Sequence, residues 1–233
     1  MWFPKPKNLS GLTLLGPEGL SAEEILALLY HDNAKEWRHK VGSAGASDAS
    51  AKSSTRLLGS QGWVFKTHVS LKAASEATLR EGLKQTLDLS QKFPLWHPDK
   101  QWFFVRHGSS WYPMSACRQL RTLRELPRLH DRFAGWTRML EMGLRISERH
   151  GIGLDINPSN FGTLPPGDKI FYLDDEFYGA LSSTQVAVAV ASRIPEEPDT
   201  IPADWHGWGR QLQRVLAISC KKTGGMERVS RSA

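Results

Sequence analysis

At 233 residues, 40% hydrophobic and 23% charged, the chain holds enough apolar material for one medium domain or two small lobes. The net charge is +6; two cysteines argue against a disulfide scaffold and exclude a four-cysteine zinc site, and no run of about 18 apolar residues is present to span a membrane. The opening MWFPKPKNLSGLTLLG is too broken by proline and glycine for a signal peptide; the expected address is cytoplasmic, and secretion into another cell fits the same composition.

Ser21-Ala22-Glu23-Glu24 is a capping box, and Ile25, Leu26, Leu28 and Leu29 after it predict a short helix. From Val41 to Ser60 the chain turns to Gly, Ala and Ser, with little to bury beyond Leu57 and Leu58, and reads as a flexible loop or a glycine-rich turn between strands. Gly62 to Val69 is rich in β-branched and aromatic residues and predicts a strand. One helix is expected from Ser70 to Phe93 on the spacing of Leu71, Ala74, Ala77, Leu83 and Leu87, with Pro94 closing it.

Trp102 to Val105 and Trp111 to Met114 predict a hairpin turning at Gly108-Ser109-Ser110. A long helix should begin near Pro127 and end near His150-Gly151, its stripe formed by Leu129, Phe133, Trp136, Leu140 and Leu144. A short strand over Lys169–Leu173 follows, then Asp174-Asp175-Glu176, an apolar run from Val186 to Ala191, and a last helix near Trp208 to Ile218. The expected organisation is an α+β fold of two lobes: a β-rich lobe over 1–114, a helical lobe over 115–220 and a basic tail over 221–233.

The chemistry gathers in Leu154-Asp155-Ile156-Asn157-Pro158-Ser159-Asn160. Asp155 and Asn160 stand five residues apart across a proline turn, and Asp174 closes an apolar strand 19 residues after Asp155. Phosphoryl transfer needs one carboxylate to orient and deprotonate the attacking hydroxyl, and hard oxygen ligands to hold magnesium against the outer phosphates.

In this arrangement LDINPSN resembles the catalytic loop of the protein kinase superfamily, and Tyr172-Leu173-Asp174-Asp175-Glu176 resembles the strand and metal-binding triad that follow it. The resemblance covers about residues 40 to 180. It implies a two-lobed kinase-like fold with ATP and Mg2+ as cofactors, Asp155 as catalytic base, and Asn160 and Asp174 as metal ligands. It further implies Lys66, within Val64-Phe65-Lys66, as the nucleotide-binding lysine. Glu81, or alternatively Glu76, would be the helix carboxylate that pairs with Lys66. Gly42 and Gly45 would lie in the loop over the phosphates, and the adenine hinge would run around Met114-Ser115-Ala116.

The expected activity is transfer of the γ-phosphate to a hydroxyl acceptor, first a Ser or Thr of a protein and next a small-molecule or sugar hydroxyl. Asp175-Glu176 in place of the usual Phe-Gly suits both. Gly153 and Leu154 occupy the places where most of these enzymes carry His and Arg, which keeps a pseudokinase, a binding or regulatory module, as the alternative. Lys221, Lys222, Arg228 and Arg231 in the tail and Arg118, Arg121, Arg124 and Arg128 mid-chain carry much of the basic excess. It is spread too thinly, without a recognised motif, to make nucleic acid the main partner. No histidine pair at i, i+4 and no G-x-S-x-G elbow points to a zinc or serine hydrolase.

Overall fold

The computed structural model describes residues 2–16, 19–37, 55–164 and 169–181. The chain divides into two compact units, Met1–Gln119 and Leu120–Ala233. The fold is mixed α+β.

The first unit contains strands β1 (Leu12–Leu14), β2 (Lys35–Trp37), β3 (Thr55–Ser60), β4 (Trp63–His68), β5 (Gln101–His107) and β6 (Ser110–Arg118), with helices α1 (Ala22–Leu29), α2 (Glu76–Gly82) and α3 (Lys84–Lys92). The strands form one sheet in the order β1-β5-β6-β4-β3-β2, antiparallel throughout. Side chains alternate across the pleat. Phe65, Phe103, Val105, Met114 and Ala116 therefore share one face, and Ile25 and Leu29 of α1 complete a core with them. Lys66, Trp102, Phe104 and Ser115 lie on the other face, against which α2 packs with the Arg80 guanidinium 5.6 Å from the Phe104 ring.

Local chemistry fixes several of these elements. The capping box forms as the sequence predicts, with the Ser21 hydroxyl accepting from the Glu24 amide and Glu24 accepting from the Ser21 amide. Between β3 and β4 the chain reverses through Gln61 (φ 48°) and Gly62 (φ 75°), a two-residue loop of left-handed residues that matches the twist of the strands. Gln101 is buried in β5, where it accepts from the Leu20 amide at 2.8 Å and donates to the Leu20 carbonyl at 3.0 Å. One side chain thus pins the entry of α1 to the sheet.

Two expectations are corrected here. Thr55–Ser60, included in the loop from Val41 to Ser60, is a full strand in which Leu58 is buried against the core. The helix expected from Ser70 to Phe93 is instead a 3-10 turn over Val69–Leu71 followed by α2 and α3, which meet at Gly82-Leu83. Glycine weakens a helix interior, and Leu79 and Leu89, not the expected stripe, carry the buried contacts.

The second unit contains β7 (Arg121–Thr122), α4 (Leu129–His150), β8 (Ile152–Gly153), β9 (Phe161–Thr163), β10 (Ile170–Tyr172) and β11 (Tyr178–Gly179). The helix α4 matches the sequence reading. Phe133, Trp136, Leu140 and Leu144 form its buried side, and Gly151 caps it in the left-handed conformation with its amide on the Ser147 carbonyl. Two short antiparallel arrangements follow, β10-β9-β7 and β11-β8. Among the described residues no helix is long and apolar enough to cross a membrane. The glycines Gly42 and Gly45, the run from Val186 to Ala191, the helix near Trp208 and the basic tail lie outside the described residues.

The Gln101 clamp generates a stability prediction. Gln101→Leu keeps most of the volume but leaves the Leu20 amide and carbonyl without their partner, so unfolding free energy should fall by about 1–3 kcal/mol in denaturant titrations.

Candidate functional site

The turn after β8 is built by its own polar side chains. The Asn157 side chain accepts from the Ser159 amide at 3.1 Å, and Pro158 opens a 3-10 turn closed by the Asn160 amide on the Asn157 carbonyl at 2.8 Å. An asparagine cap followed by proline favours this geometry. Leu154, Ile156 and Pro158 are buried, while Asp155, Asn157 and Asn160 are half-buried. The apolar residues anchor the turn and leave the polar ones at its surface. There the Asn160 side-chain amide donates to Asp155 Oδ2 at 2.8 Å.

The third residue arrives through the β9–β10 ladder. Tyr172 pairs with Phe161, and the Leu173 amide donates to the Asn160 carbonyl at 2.8 Å, so Asp174 leaves the strand one residue past the point of contact with Asn160. Asp174 Oδ1 accepts from the Asp175 amide at 2.8 Å, which orients the carboxylate. In the second unit Asp155 and Asn160 are thus bonded directly, and Asp174 follows the residue whose amide meets the Asn160 carbonyl.

Tyr172 is a member of this site that the sequence reading passed over. Its phenol is buried beneath the turn, accepts from the Asp155 amide at 3.2 Å and donates to the Glu176 carbonyl at 3.0 Å. Burial above all, and then the charges of Asp174 and Asp155, push this phenol far above its ordinary pKa, with the hydrogen bond from the Asp155 backbone opposing them. Tyr178, about half exposed and bonded to Glu176 Oε2 at 2.9 Å, is also pushed up, by partial desolvation first and then by Glu176, Asp174 and Asp155. Both carboxylates act on both phenols, and both hydroxyls stay protonated near neutral pH. The available signal was a hydroxyl within the apolar run Ile170-Phe171-Tyr172-Leu173, since a buried phenol must find a partner.

Gly153 and Leu154, which stand in place of the usual His and Arg, have structural reasons for their identity. A Cβ at Gly153 would run into the Gly179 carbonyl of β11, and Leu154 is fully buried. Neither position has room for a long polar side chain.

In the first unit, Lys66 is half-buried on β4, opposite Ser115 of β6 and Leu57 of β3. Glu76 is held by the Thr13 hydroxyl at 2.9 Å and by Arg80 at 3.0 Å, and Glu81 is exposed in the last turn of α2, beside the break that shortens the helix. Met114 and Ala116, expected at a hinge, lie inside β6 with buried side chains and paired strands on both sides; they are core residues.

Among the described residues no group of three or more His, Cys, Asp or Glu gathers as a metal site. Magnesium commonly takes only one or two protein carboxylates, the rest of its shell coming from water and phosphates. The carboxylate of Asp174 with the carboxamide oxygen of Asn160 fits such an ion arriving with a nucleotide, and does not fit a cage made by protein alone.

No family model matches the chain, and no curated protein matches it. Among solved structures, a 2.2 Å crystal structure of WbdD is similar with a TM-score of 0.43 at 14% identity, over 72% of this chain. The chain spans 43% of the length of that protein. At that level the likeness carries no chemistry, and the reading of the site rests on its own residues.

Proposed function

We propose that this chain is an ATP- and magnesium-dependent phosphotransferase whose chemistry is carried by Asp155, Asn160 and Asp174. The observation that supports the reading most is the 2.8 Å bond from Asn160 to Asp155 together with the ladder that delivers Asp174 beside Asn160. A carboxylate held by a neutral amide keeps its charge and its orientation. In the proposed step the acceptor hydroxyl gives its proton to Asp155, its oxygen bonds to the γ-phosphorus, the bond from that phosphorus to the β-phosphate oxygen breaks, and ADP leaves. Magnesium, when held by Asn160 and Asp174, would neutralise charge on the outer phosphates. The acceptor proposed first is a Ser or Thr of a protein, and a small-molecule or sugar hydroxyl follows.

A second reading, a nucleotide-binding module without transfer, is favoured by Gly153-Leu154 before the catalytic turn. Turnover separates the two.

Nucleotide binding is expected to require magnesium and to stabilise the fold by about 2.7 kcal/mol at a hundredfold excess over the dissociation constant. Thermal unfolding with ATP, with and without magnesium, measures it, and an unchanged midpoint at millimolar nucleotide would count against both readings.

Asp155→Asn and Asp174→Asn should part company. The first removes the base and is expected to lower transfer by about a hundredfold or more with little change in Mg-ATP affinity, whereas the second should weaken Mg-ATP binding itself. Both are read on the same purified proteins by nucleotide titration and by transfer of labelled phosphate. If Asp155→Asn keeps full turnover, Asp155 is no catalytic base.

Lys66→Ala tests the nucleotide lysine on its own. It should weaken Mg-ATP binding about tenfold or more while leaving the unfolding midpoint without nucleotide little changed, consistent with loss of one charge-assisted contact to a phosphate.

A further inference from the structure

The two short strands that flank the catalytic turn stop pairing where Asp155 begins. β8 and β11 are antiparallel, with Gly179 opposite Ile152 and Tyr178 opposite Gly153. Two steps further along the same register, Glu176 would stand opposite Asp155. In a continued ladder alternate facing pairs exchange backbone hydrogen bonds. Here the Tyr172 oxygen lies in between, accepting from the Asp155 amide at 3.2 Å and donating to the Glu176 carbonyl at 3.0 Å. A hydroxyl has one proton to give and lone pairs to receive, so both bonds coexist.

We infer that Tyr172 is a positioning residue for the proposed phosphotransfer: its hydroxyl bridges the backbones of Asp155 and Glu176 and sets the spacing at which Asp155 is presented. The role rests on the phosphotransfer reading. The phenol is suited to it because it cannot drift. Its ring is buried, lies 5.1 Å from the Phe161 ring and 6.4 Å from the Phe177 ring, and stems from β10, the strand that also delivers Asp174. One side chain therefore refers the backbone of the proposed base to the strand carrying the proposed metal ligand. The Asp155 carboxylate is oriented separately by Asn160, so the phenol acts on where Asp155 stands and Asn160 on how it points.

Removing the oxygen leaves the Asp155 amide and the Glu176 carbonyl facing each other across a gap the width of one atom. Either water enters or the strands close, and both outcomes displace Asp155 without touching Asn160 or Asp174. Tyr172→Phe in the full chain is the direct test, with transfer of labelled γ-phosphate from Mg-ATP to acceptors in a cell extract, the KM for ATP, and hydrogen exchange at the Asp155 amide as readouts. The expected result is a fall in kcat of about tenfold, KM for ATP within about twofold of the parent, and faster exchange at Asp155, as for loss of one buried hydrogen bond at a geometry-sensitive step.

A change in stability alone, with kcat kept, would overturn the positioning role and leave the phosphotransfer reading standing. A parent protein that transfers no phosphate would overturn that reading and this role with it. If the phenylalanine variant does not fold, the parent decides: an Asp155 amide that exchanges as fast as an exposed one overturns the inference, and a protected one supports it.

Discussion

The bond from Asn160 to Asp155 constrains everything around it, because it ties the carboxylate at the start of the turn to the side chain at its end. To make that bond Asn160 must leave the 3-10 turn at a fixed angle, which Pro158 and the Asn157 cap enforce. It must also offer its carbonyl to Leu173, which fixes where β10 runs and hence where Asp174 emerges. Three polar side chains are thereby placed by backbone bonds among neighbours. Buried Leu154, Ile156 and Phe161 supply the apolar weight that keeps the turn from opening.

The first unit solves a different problem. Its sheet has one face given wholly to a core with α1, and on the other face a lysine stands among Trp102, Phe104 and Ser115. β4 places Lys66 on that face, and in α2 the Glu76 carboxylate is engaged by the Thr13 hydroxyl and Arg80, which ties the helix to β1.

Elements with strong local codes were legible in the sequence. The capping box of α1, the stripe and glycine cap of α4, the hairpin at Gly108 and the turn at Asn157-Pro158 each follow from side chains within a few residues of one another. What stayed hidden depended on partners far along the chain. β9 is short, and only its pairing with β10 and β7 gives it identity, whereas the apolar run of β10 was read as a strand. The break at Gly82 sits inside a helical pattern that continues across it, so periodicity hid it. Met114-Ser115-Ala116 has the small residues of a linker, yet those residues are what a strand crowded from both sides can accommodate. Of the candidate site, the acidic and amide residues were legible as chemistry, while Tyr172 reads as core until its oxygen is traced.

Gly153 lies so close to the Gly179 carbonyl that it admits no side chain unless β11 moves, whereas a Cβ at Gly179 itself would meet open space. Any side chain two residues before Asp155 requires the chain at Tyr178-Gly179 to retract first, and the demand runs one way only. The close approach of two backbones acts there as a steric filter on residue identity, applied before the chemistry of a side chain can count.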